Sequence, residues 1–222
     1  LPLAFQPLGE APEGLPEESD PFQAQNNLLS SLLGEEAPVF TSAVPTVEVG
    51  QDAITLTFEG DGSPIYGNLS SSLLASLAVD GTVTSALGTN ETMRIHYLGA
   101  PAPGDTLTVT ITLRQAAGAD LDWSTLFYRC DLALVEEGLA KLDNLPSVQV
   151  SSSSVTVEVG EEVSSTLATT IPAEDGWTAY VDGQRVDTGT WLGAFLSVDL
   201  PQGAQVVELR YTAPGLIPGL SL

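Results

Sequence analysis

Apolar and polar residues alternate in several short stretches of the chain, a pattern typical of strands with one buried face. In TLTVTITL, the odd-numbered residues from Leu107 to Leu113 are apolar and the even-numbered ones are threonine. SVTVEVG at 154–160 and FLSVDL at 195–200 alternate in the same way. Such short strands between turns rich in Gly, Pro and Asp predict antiparallel β-sandwiches rather than βαβ units.

Three sequence landmarks occur twice in the same order, which is the pattern of an internal repeat. They are TVEVG at 46–50 and 156–160, VDG at 79–81 and 181–183, and a Pro/Gly turn before an alternating strand, from Pro103 and from Pro201. We therefore expect two related β units.

Two segments carry helical signals instead. Asp20 can cap a helix whose first residue is Pro21, and Gly34 can end that helix. A second helix is predicted from about Ser124 to Asn144, with an apolar stripe formed by Leu132, Val135, Leu139 and Leu142.

The predicted fold is mainly β, with two related antiparallel β-sandwich units, an N-terminal helix and a helical connector. Residues 1–44 are expected to form a strand, an acidic loop and a helix that pack on the first unit. The first sandwich unit is placed at 45–114, the connector at 115–147 and the second sandwich unit at 148–222.

The stretch DGWTAYVDGQRVDTG at 175–189 combines acids with aromatic residues and so raises the question of a binding site. Asp182-Gly183 is a strong signal for a two-residue type I′ hairpin turn, which needs positive φ at both positions. Trp177 would then lie on the same face as Ala179 and Val181, as a core residue rather than an exposed stacking platform. We interpret Asp182 as a turn residue, because Asp80-Gly81 repeats the turn without a tryptophan.

The charge balance excludes several classes of partner. With 6 basic and 29 acidic residues the net charge is −23, so neither nucleic acid nor an anionic lipid surface is an expected partner. No apolar run reaches the roughly 18 residues of a membrane span, and no signal peptide is visible at Leu1. Both ends read as mid-protein sequence, so we expect a piece of a longer chain.

No catalytic signature or metal motif stands out. His96 is the single histidine and lacks a G-x-S-x-G partner motif, and Cys130 is the single cysteine, so neither a serine triad nor a zinc set is indicated. FEGDGSP offers Glu59 and Asp61 as calcium ligands but lacks the full EF-hand pattern. Among 29 acids, an adjacent pair carries almost no information about glycoside hydrolysis. We expect no catalytic residue, cofactor or metal in this chain.

Three blocks resemble the bacterial YfhO family of multi-spanning membrane proteins. They are LPLAF with DPFQAQNNLLSSLLGEEAPVF, then TLFYRCDLALVEEGLAKLDN, and a closing block from IPAEDGWTAYVDG to GLIPGLSL. The closing block is the most specific, with Trp177, Asp182, Gly183, Gly203, Tyr211, Pro214, Gly219 and Ser221 in the family's order. Arg129-Cys130-Asp131 departs from the family's hydrophobic-Asp pair.

The resemblance implies a membrane core of the GT-C glycosyltransferase type, which moves sugars from a polyprenyl-phosphate carrier onto polymers such as lipoteichoic acid. It places this chain at the extracytoplasmic face of the bacterial cell membrane, as a non-catalytic region followed by a last membrane helix. Its implied partners are its own transmembrane domain and a cell-envelope glycan. The family's catalytic acids lie in the membrane part, so none carries over.

If the chain holds a glycan, the candidate contacts are the aromatic residues Tyr66, Trp123, Tyr180 and Trp191. The alternative is a secreted carbohydrate-binding or adhesion module, which an exposed aromatic strip on one sandwich face would favour. An independent hydrolase would need a cleft with converging acids, for which the sequence gives no reason.

Overall fold

The computed structural model describes residues 1–14, 20–70, 74–86, 93–114, 122–160 and 164–215. These residues form eighteen strands and two α-helices. In chain order the elements are β1 (Ala4–Phe5), α1 (Pro21–Leu33), β2 (Phe40–Ser42), β3 (Thr46–Val49), β4 (Ala53–Glu59), β5 (Ile65–Ser70), β6 (Leu74–Val79), β7 (Thr82–Ala86), β8 (Met93–Gly99), β9 (Thr106–Leu113), β10 (Phe127–Cys130), α2 (Leu132–Leu142), β11 (Ser147–Val150), β12 (Ser154–Glu158), β13 (Thr166–Pro172), β14 (Trp177–Val181), β15 (Gln184–Val186), β16 (Thr188–Trp191), β17 (Phe195–Asp199) and β18 (Val206–Tyr211). Within these ranges, neither helix has the length and apolar character needed to cross a membrane.

The chain divides into two compact units, and each contains one five-stranded and one four-stranded antiparallel sheet. The unit Val39–Leu132 has the sheets β3-β4-β9-β6-β7 and β2-β10-β5-β8. The unit formed by Leu1–Pro38 and Ala133–Leu222 has the sheets β11-β12-β18-β14-β15 and β1-β13-β17-β16. Because the strands of the two five-stranded sheets follow the same order along the chain, the predicted repeat and the predicted mainly-β fold class are confirmed.

The cores follow the alternation in the sequence. In β4, Ile54, Leu56 and Phe58 are buried while the threonines between them are half-buried. In the neighbouring strand β9, Leu107, Val109 and Ile111 pair directly with these three residues and are buried in the same core. The second unit repeats this arrangement with the valines of β12 and the alternate residues of β17 and β18. Each fully buried aliphatic side chain of this kind stabilises the fold by about 1.5–3 kcal/mol.

The two VDG sequences form equivalent turns, which confirms the hairpin interpretation. Asp182 and Gly183 have φ of 48° and 79°, and Asp80 and Gly81 have φ of 46° and 77°. The Asp182 carboxylate accepts a hydrogen bond from the backbone N–H of Val206 at 2.9 Å. These aspartates therefore hold the end of the neighbouring strand, since Asp80 makes the equivalent contact in the first unit.

Helix α1 has the predicted ends. The Asp20 carboxylate accepts a hydrogen bond from the backbone N–H of Phe22 at 2.9 Å, and Gly34 ends the helix with φ of 70°. A Cβ on Gly138 of α2 would lie 3.3 Å from Leu33 of α1. The glycine therefore permits a close approach of the two helices within this unit.

Helix α2 is shorter than predicted, because residues 127–130 form strand β10 instead of its first turns. The strand pairs on one side with β2 and on the other with β5. Phe127 and Cys130 are buried there, and a short 3₁₀ turn at Trp123–Thr125 precedes the strand. Long-range backbone pairing thus outweighed the helical periodicity of this segment.

The N-terminal strand does not pack on the first unit as expected, since β1 pairs with β13 of the second unit. Gln6 and Asn144 exchange two hydrogen bonds next to this strand, at 3.0 and 2.7 Å. In the first unit, the equivalent position beside β5 is taken by β10. The repeat therefore leaves one sheet position in the second unit that the N-terminal strand fills.

Candidate functional site

Two of the four predicted glycan-contacting residues are buried. Trp123 is 4% exposed and stacks on Phe127, with ring centroids 6.5 Å apart. Trp191 is 1% exposed, and its indole N–H donates to the backbone oxygen of Thr169 at 2.6 Å. Neither indole offers a ring face to a ligand in solution.

The ring of Tyr180 is half-buried and its face is already engaged. The guanidinium carbon of Arg210 lies 4.6 Å from the ring centroid, a geometry that allows a cation–π contact. Arg210 is itself held by Glu208, with a nitrogen–oxygen distance of 2.6 Å. The hydrogen bond from Arg210 holds the pKa of Glu208 below its ordinary value. Tyr180 therefore belongs to a contact network with Arg210 and Glu208 on the five-stranded sheet of the second unit.

Tyr66 lies in a row of tyrosines on the outer face of the four-stranded sheet of the first unit. Its direct neighbours across the strands are Tyr97 of β8 and Tyr128 of β10, and we call these three residues the tyrosine row. The Tyr66 and Tyr97 ring centroids are 5.6 Å apart, and Tyr97 is 60% exposed. Burial raises the pKa of the Tyr66 phenol, and the neighbouring Cys130 and Tyr97 raise it further. These rings combine apolar faces with phenolic hydroxyl groups, which suits contact with a hydroxylated ligand.

The acidic stretch considered for calcium is occupied by a basic side chain. The Arg129 guanidinium lies 2.8 Å from the Asp61 carboxylate and donates to the backbone oxygen of Glu59. In the described part of the chain, no group of three or more His, Cys, Asp and Glu residues is placed to hold a metal ion. Arg129 thus stabilises this turn.

A cavity of about 560 Å³ lies in the second unit, and we call it the acidic cavity. Its lining residues come from the N-terminal segment and from three strands: Ala11, Glu13, Thr166, Gly189, Thr190, Trp191, Ser197 and Asp199. Ser197 and Asp199 project from one face of β17, because they are two residues apart on a strand. Their direct neighbours in the sheet are Gly189 on β16 and Thr166 on β13.

One wall of the acidic cavity is the N-terminal segment around residue 12. The backbone N–H of Leu192 donates to the oxygen of Pro12 at 2.8 Å, and that of Gly193 donates to the oxygen of Glu13 at 2.6 Å. Leu192 has φ of 52°, a conformation that few non-glycine residues adopt. The turn after β16 is therefore bent so that its backbone holds the wall in place.

The sequence analysis did not identify the acidic cavity. The alternation in FLSVDL placed Ser197 and Asp199 on one face of a strand, but such a face is polar in most half-buried strands. Glu13 lies more than 180 residues away along the chain. The pairing of β1 with β13 and the hydrogen bonds from Leu192 and Gly193 bring the N-terminal segment to this sheet.

Comparisons with known proteins give the following. No curated protein matches the sequence. Among solved structures, the β-glucuronidase of Ruminococcus gnavus is similar to 78% of this chain, at 8% identity and a TM-score of 0.25. The matched part spans 36% of that enzyme's length, and so weak a likeness carries no argument. Residues 15–222 match the family described as bacterial membrane protein YfhO. Because the match covers most of the sequence, the chain belongs to the YfhO family.

Proposed function

We propose that this chain is the extracytoplasmic, non-catalytic region of a multi-spanning membrane glycosyltransferase that acts on cell-envelope polymers of the lipoteichoic-acid type. The observation that carries the proposal is the family match over residues 15–222, which includes every strand of both sandwich units except β1. The whole protein would transfer the sugar in its membrane part. This region would position the acceptor polymer or stabilise the membrane core.

The tyrosine row supports the first of these two roles. The three tyrosines are paired on neighbouring strands, and the Tyr66 and Tyr97 rings lie 5.6 Å apart, with Tyr97 exposed. A polymer could contact such a row at several successive sugars without a deep pocket. Weak contacts that act together give useful affinity when they are linked along one chain.

The role is tested in a bacterium that carries the full-length protein. We would replace Tyr66, Tyr97 and Tyr128 together by alanine, and measure sugar content of the envelope polymer and the amount of protein in the membrane. Val83→Ala on the other sheet of the same unit is the matched surface control, since Val83 is 65% exposed. Lost glycosylation at normal protein level would support acceptor positioning, whereas a lower protein level would support stabilisation. Normal glycosylation after removal of the whole region would refute the proposal.

The extracytoplasmic location has its own test. Cys130 is 5% exposed, and burial raises the pKa of its thiol, so its background reaction with maleimides should be slow. A cysteine introduced at the exposed Ser152 should therefore react with a membrane-impermeant maleimide on intact cells. Labelling that requires lysed cells would refute the assigned side of the membrane.

The second candidate function is a secreted carbohydrate-binding module, and the tyrosine row is the observation that favours it. The two candidates differ in what surrounds the region in the gene. Several membrane spans in the same reading frame would support the glycosyltransferase, and a signal peptide without spans would support the secreted module.

A further inference from the structure

We propose that the acidic cavity binds a saccharide unit that carries a positively charged amine. The proposal rests on the proposed function in one respect, because it takes the ligand to be part of a cell-envelope glycan. It goes beyond that function by assigning a specific site, in the second unit, and a chemical class of ligand.

The side chains that line the cavity are complementary to a ligand with hydrogen-bond donors and a positive charge. Glu13 and Asp199 contribute two carboxylates, and no lysine or arginine is among the described residues that line the cavity. Ionised carboxylates only accept hydrogen bonds, while the hydroxyl groups of Thr166, Thr190 and Ser197 both donate and accept. A ligand with several hydroxyl groups and one ammonium group matches this set. The net charge of −23 adds a general attraction for cations.

Within the described part of the chain, these polar side chains have no hydrogen-bond or ion-pair partner. Across the described residues, the side chains of Glu13, Thr166, Thr190, Ser197 and Asp199 form no hydrogen bond or ion pair with one another or with other described residues. Ser197 is the most informative of them, because it is 8% exposed and its hydroxyl group nevertheless lacks a protein partner among those residues. Its hydroxyl group lines the acidic cavity, so it is available to a ligand there.

Gly189 keeps the Ser197 hydroxyl accessible. A Cβ at position 189 would lie 2.7 Å from the Ser197 oxygen, well inside the contact distance of two such atoms. Gly189 has no positive φ that would require glycine. The absence of a side chain at position 189 therefore leaves space above the Ser197 hydroxyl group, and the backbone conformation does not itself require glycine there.

The size of the cavity selects an organic ligand. Its volume of about 560 Å³ lies within the range of roughly 300–1,000 Å³ that is usual for small-molecule pockets. A bare calcium ion would need six to eight oxygens at about 2.3–2.6 Å, a much tighter cage than this one. One or two sugar rings are the fitting occupants.

Binding is tested by calorimetry on the 222-residue chain with two disaccharides. The probe is the β-1,4-linked disaccharide of glucosamine, and the control ligand is its di-N-acetylated form, which has the same hydroxyl groups without the charge. We expect the amine form to bind at least about tenfold more tightly at low salt, and this preference to shrink as salt screens the charges. Equal affinity for the two forms, or no binding of either, would overturn the proposal.

Variants then place the binding in the acidic cavity. Glu13→Gln and Asp199→Asn together should weaken binding of the amine form by about tenfold or more, and Gly189→Val should abolish it by filling the space above Ser197. The matched control Glu158→Gln removes an exposed acid from the other sheet of the same unit and should leave affinity unchanged. Because the Gln and Asn replacements keep side-chain size, their effect does not depend on tolerance of the larger valine. Unchanged affinity in the double variant would refute the site.

The same variants in the full-length protein separate this proposal from the proposed function. If removal of the whole region abolishes envelope glycosylation while the double variant leaves it normal, the proposed function stands and this proposal's link to the acceptor fails. If the double variant lowers glycosylation at normal protein level, both are supported. If removal of the region changes nothing while disaccharide binding persists, the proposed function fails and the binding site stands.

Discussion

Replacing Trp191 by alanine should destabilise the second unit strongly, because this tryptophan is a structural residue. Its indole is 1% exposed and makes an edge-on contact with Phe5, with ring centroids 5.6 Å apart. A second ring, Phe195, lies at the same centroid distance on β17. The side chain thus joins strand β1, strand β16 and strand β17 in one cluster.

Its hydrogen bond reaches an irregular part of the sheet. The register between β13 and β17 shifts between Ala168 and Pro172, and the indole N–H donates to the oxygen of Thr169 inside that interval. The Thr169 hydroxyl donates in turn to the oxygen of Leu196 at 2.9 Å. The Trp191 indole therefore satisfies the backbone oxygen of Thr169, at a point where the regular hydrogen bonding between β13 and β17 is interrupted.

The expected cost follows from these contacts. Truncation of a buried tryptophan to alanine typically costs about 3–5 kcal/mol, and Trp191→Ala should fall in that range. Trp191→Phe keeps most of the apolar contact but leaves the Thr169 oxygen without its donor, so we expect a loss of about 1–3 kcal/mol. The difference between the two variants separates packing from hydrogen bonding.

The assay must report on one unit at a time, because a chain of two units need not unfold in a single transition. Hydrogen exchange read by mass spectrometry meets this need: peptides from β13 and β17 should lose protection in Trp191→Ala, while those from β4 and β9 should not. Trp177→Phe is the control, since Trp177 is only half-buried at the start of β14. A loss below about 1 kcal/mol for Trp191→Ala would refute the assigned role. It would favour the earlier interpretation of Trp191 as an exposed glycan contact.

Three further predictions concern local features of the two sandwiches. Asp182→Ala should cost about 1–3 kcal/mol, since the carboxylate accepts from two backbone N–H groups; Asp80→Ala, which loses one such bond, should cost less when both are measured by denaturant unfolding. Burial acts to raise the pKa of Asp61, but the hydrogen bonds that it accepts outweigh this effect and hold its pKa below 3.8. The ionised Asp61 carboxylate therefore stabilises the folded state above about pH 4, and this stabilisation is lost in stronger acid. The wild type should be more stable than Asp61→Asn at neutral pH. The difference in their free energies of unfolding should disappear as the measurement approaches about pH 2. Gly67→Ala should destabilise the first unit by about 1–3 kcal/mol, because the new methyl group would lie 2.9 Å from the Phe127 ring; an unchanged melting temperature would contradict the packing described here.

Local patterns were sufficient to predict the sandwiches. The alternation in β9 and β12 and the Asp-Gly turns depend on neighbouring residues alone, as does the capping of α1 by Asp20. Each of these has a short-range physical cause, namely the period of the strand, the cost of positive φ, or an unsatisfied backbone N–H. The sequence therefore contained both the fold class and the repeat.

Long-range pairing decided what could not be predicted. The apolar residues of 127–130 fit the periodicity of a helix. These residues nevertheless form a strand, because they pair with the edge of β5. Strand β1 has two residues and no alternation to indicate a partner. Trp123 and Trp191 were candidates for exposed contacts because sequence does not reveal which face of a short strand or turn is covered. The acidic cavity depends on the position of β1, because its lining combines the N-terminal segment with β13, β16 and β17.

The two units use one architecture in two ways, and the two proposed ligand sites follow from this difference. In the second unit, Leu32, Leu33 and Leu142 from the helices pack with Ala168 on the outer face of the four-stranded sheet. Small side chains on β13 make room for that helical layer, and the acidic cavity lies where the layer ends. The matching face of the first unit instead carries the tyrosine row, where Tyr97 remains 60% exposed. A polymer that contacts both units would meet a shallow aromatic surface on one and a charged pocket on the other, so the first would tolerate many sugars and the second would select for an amine.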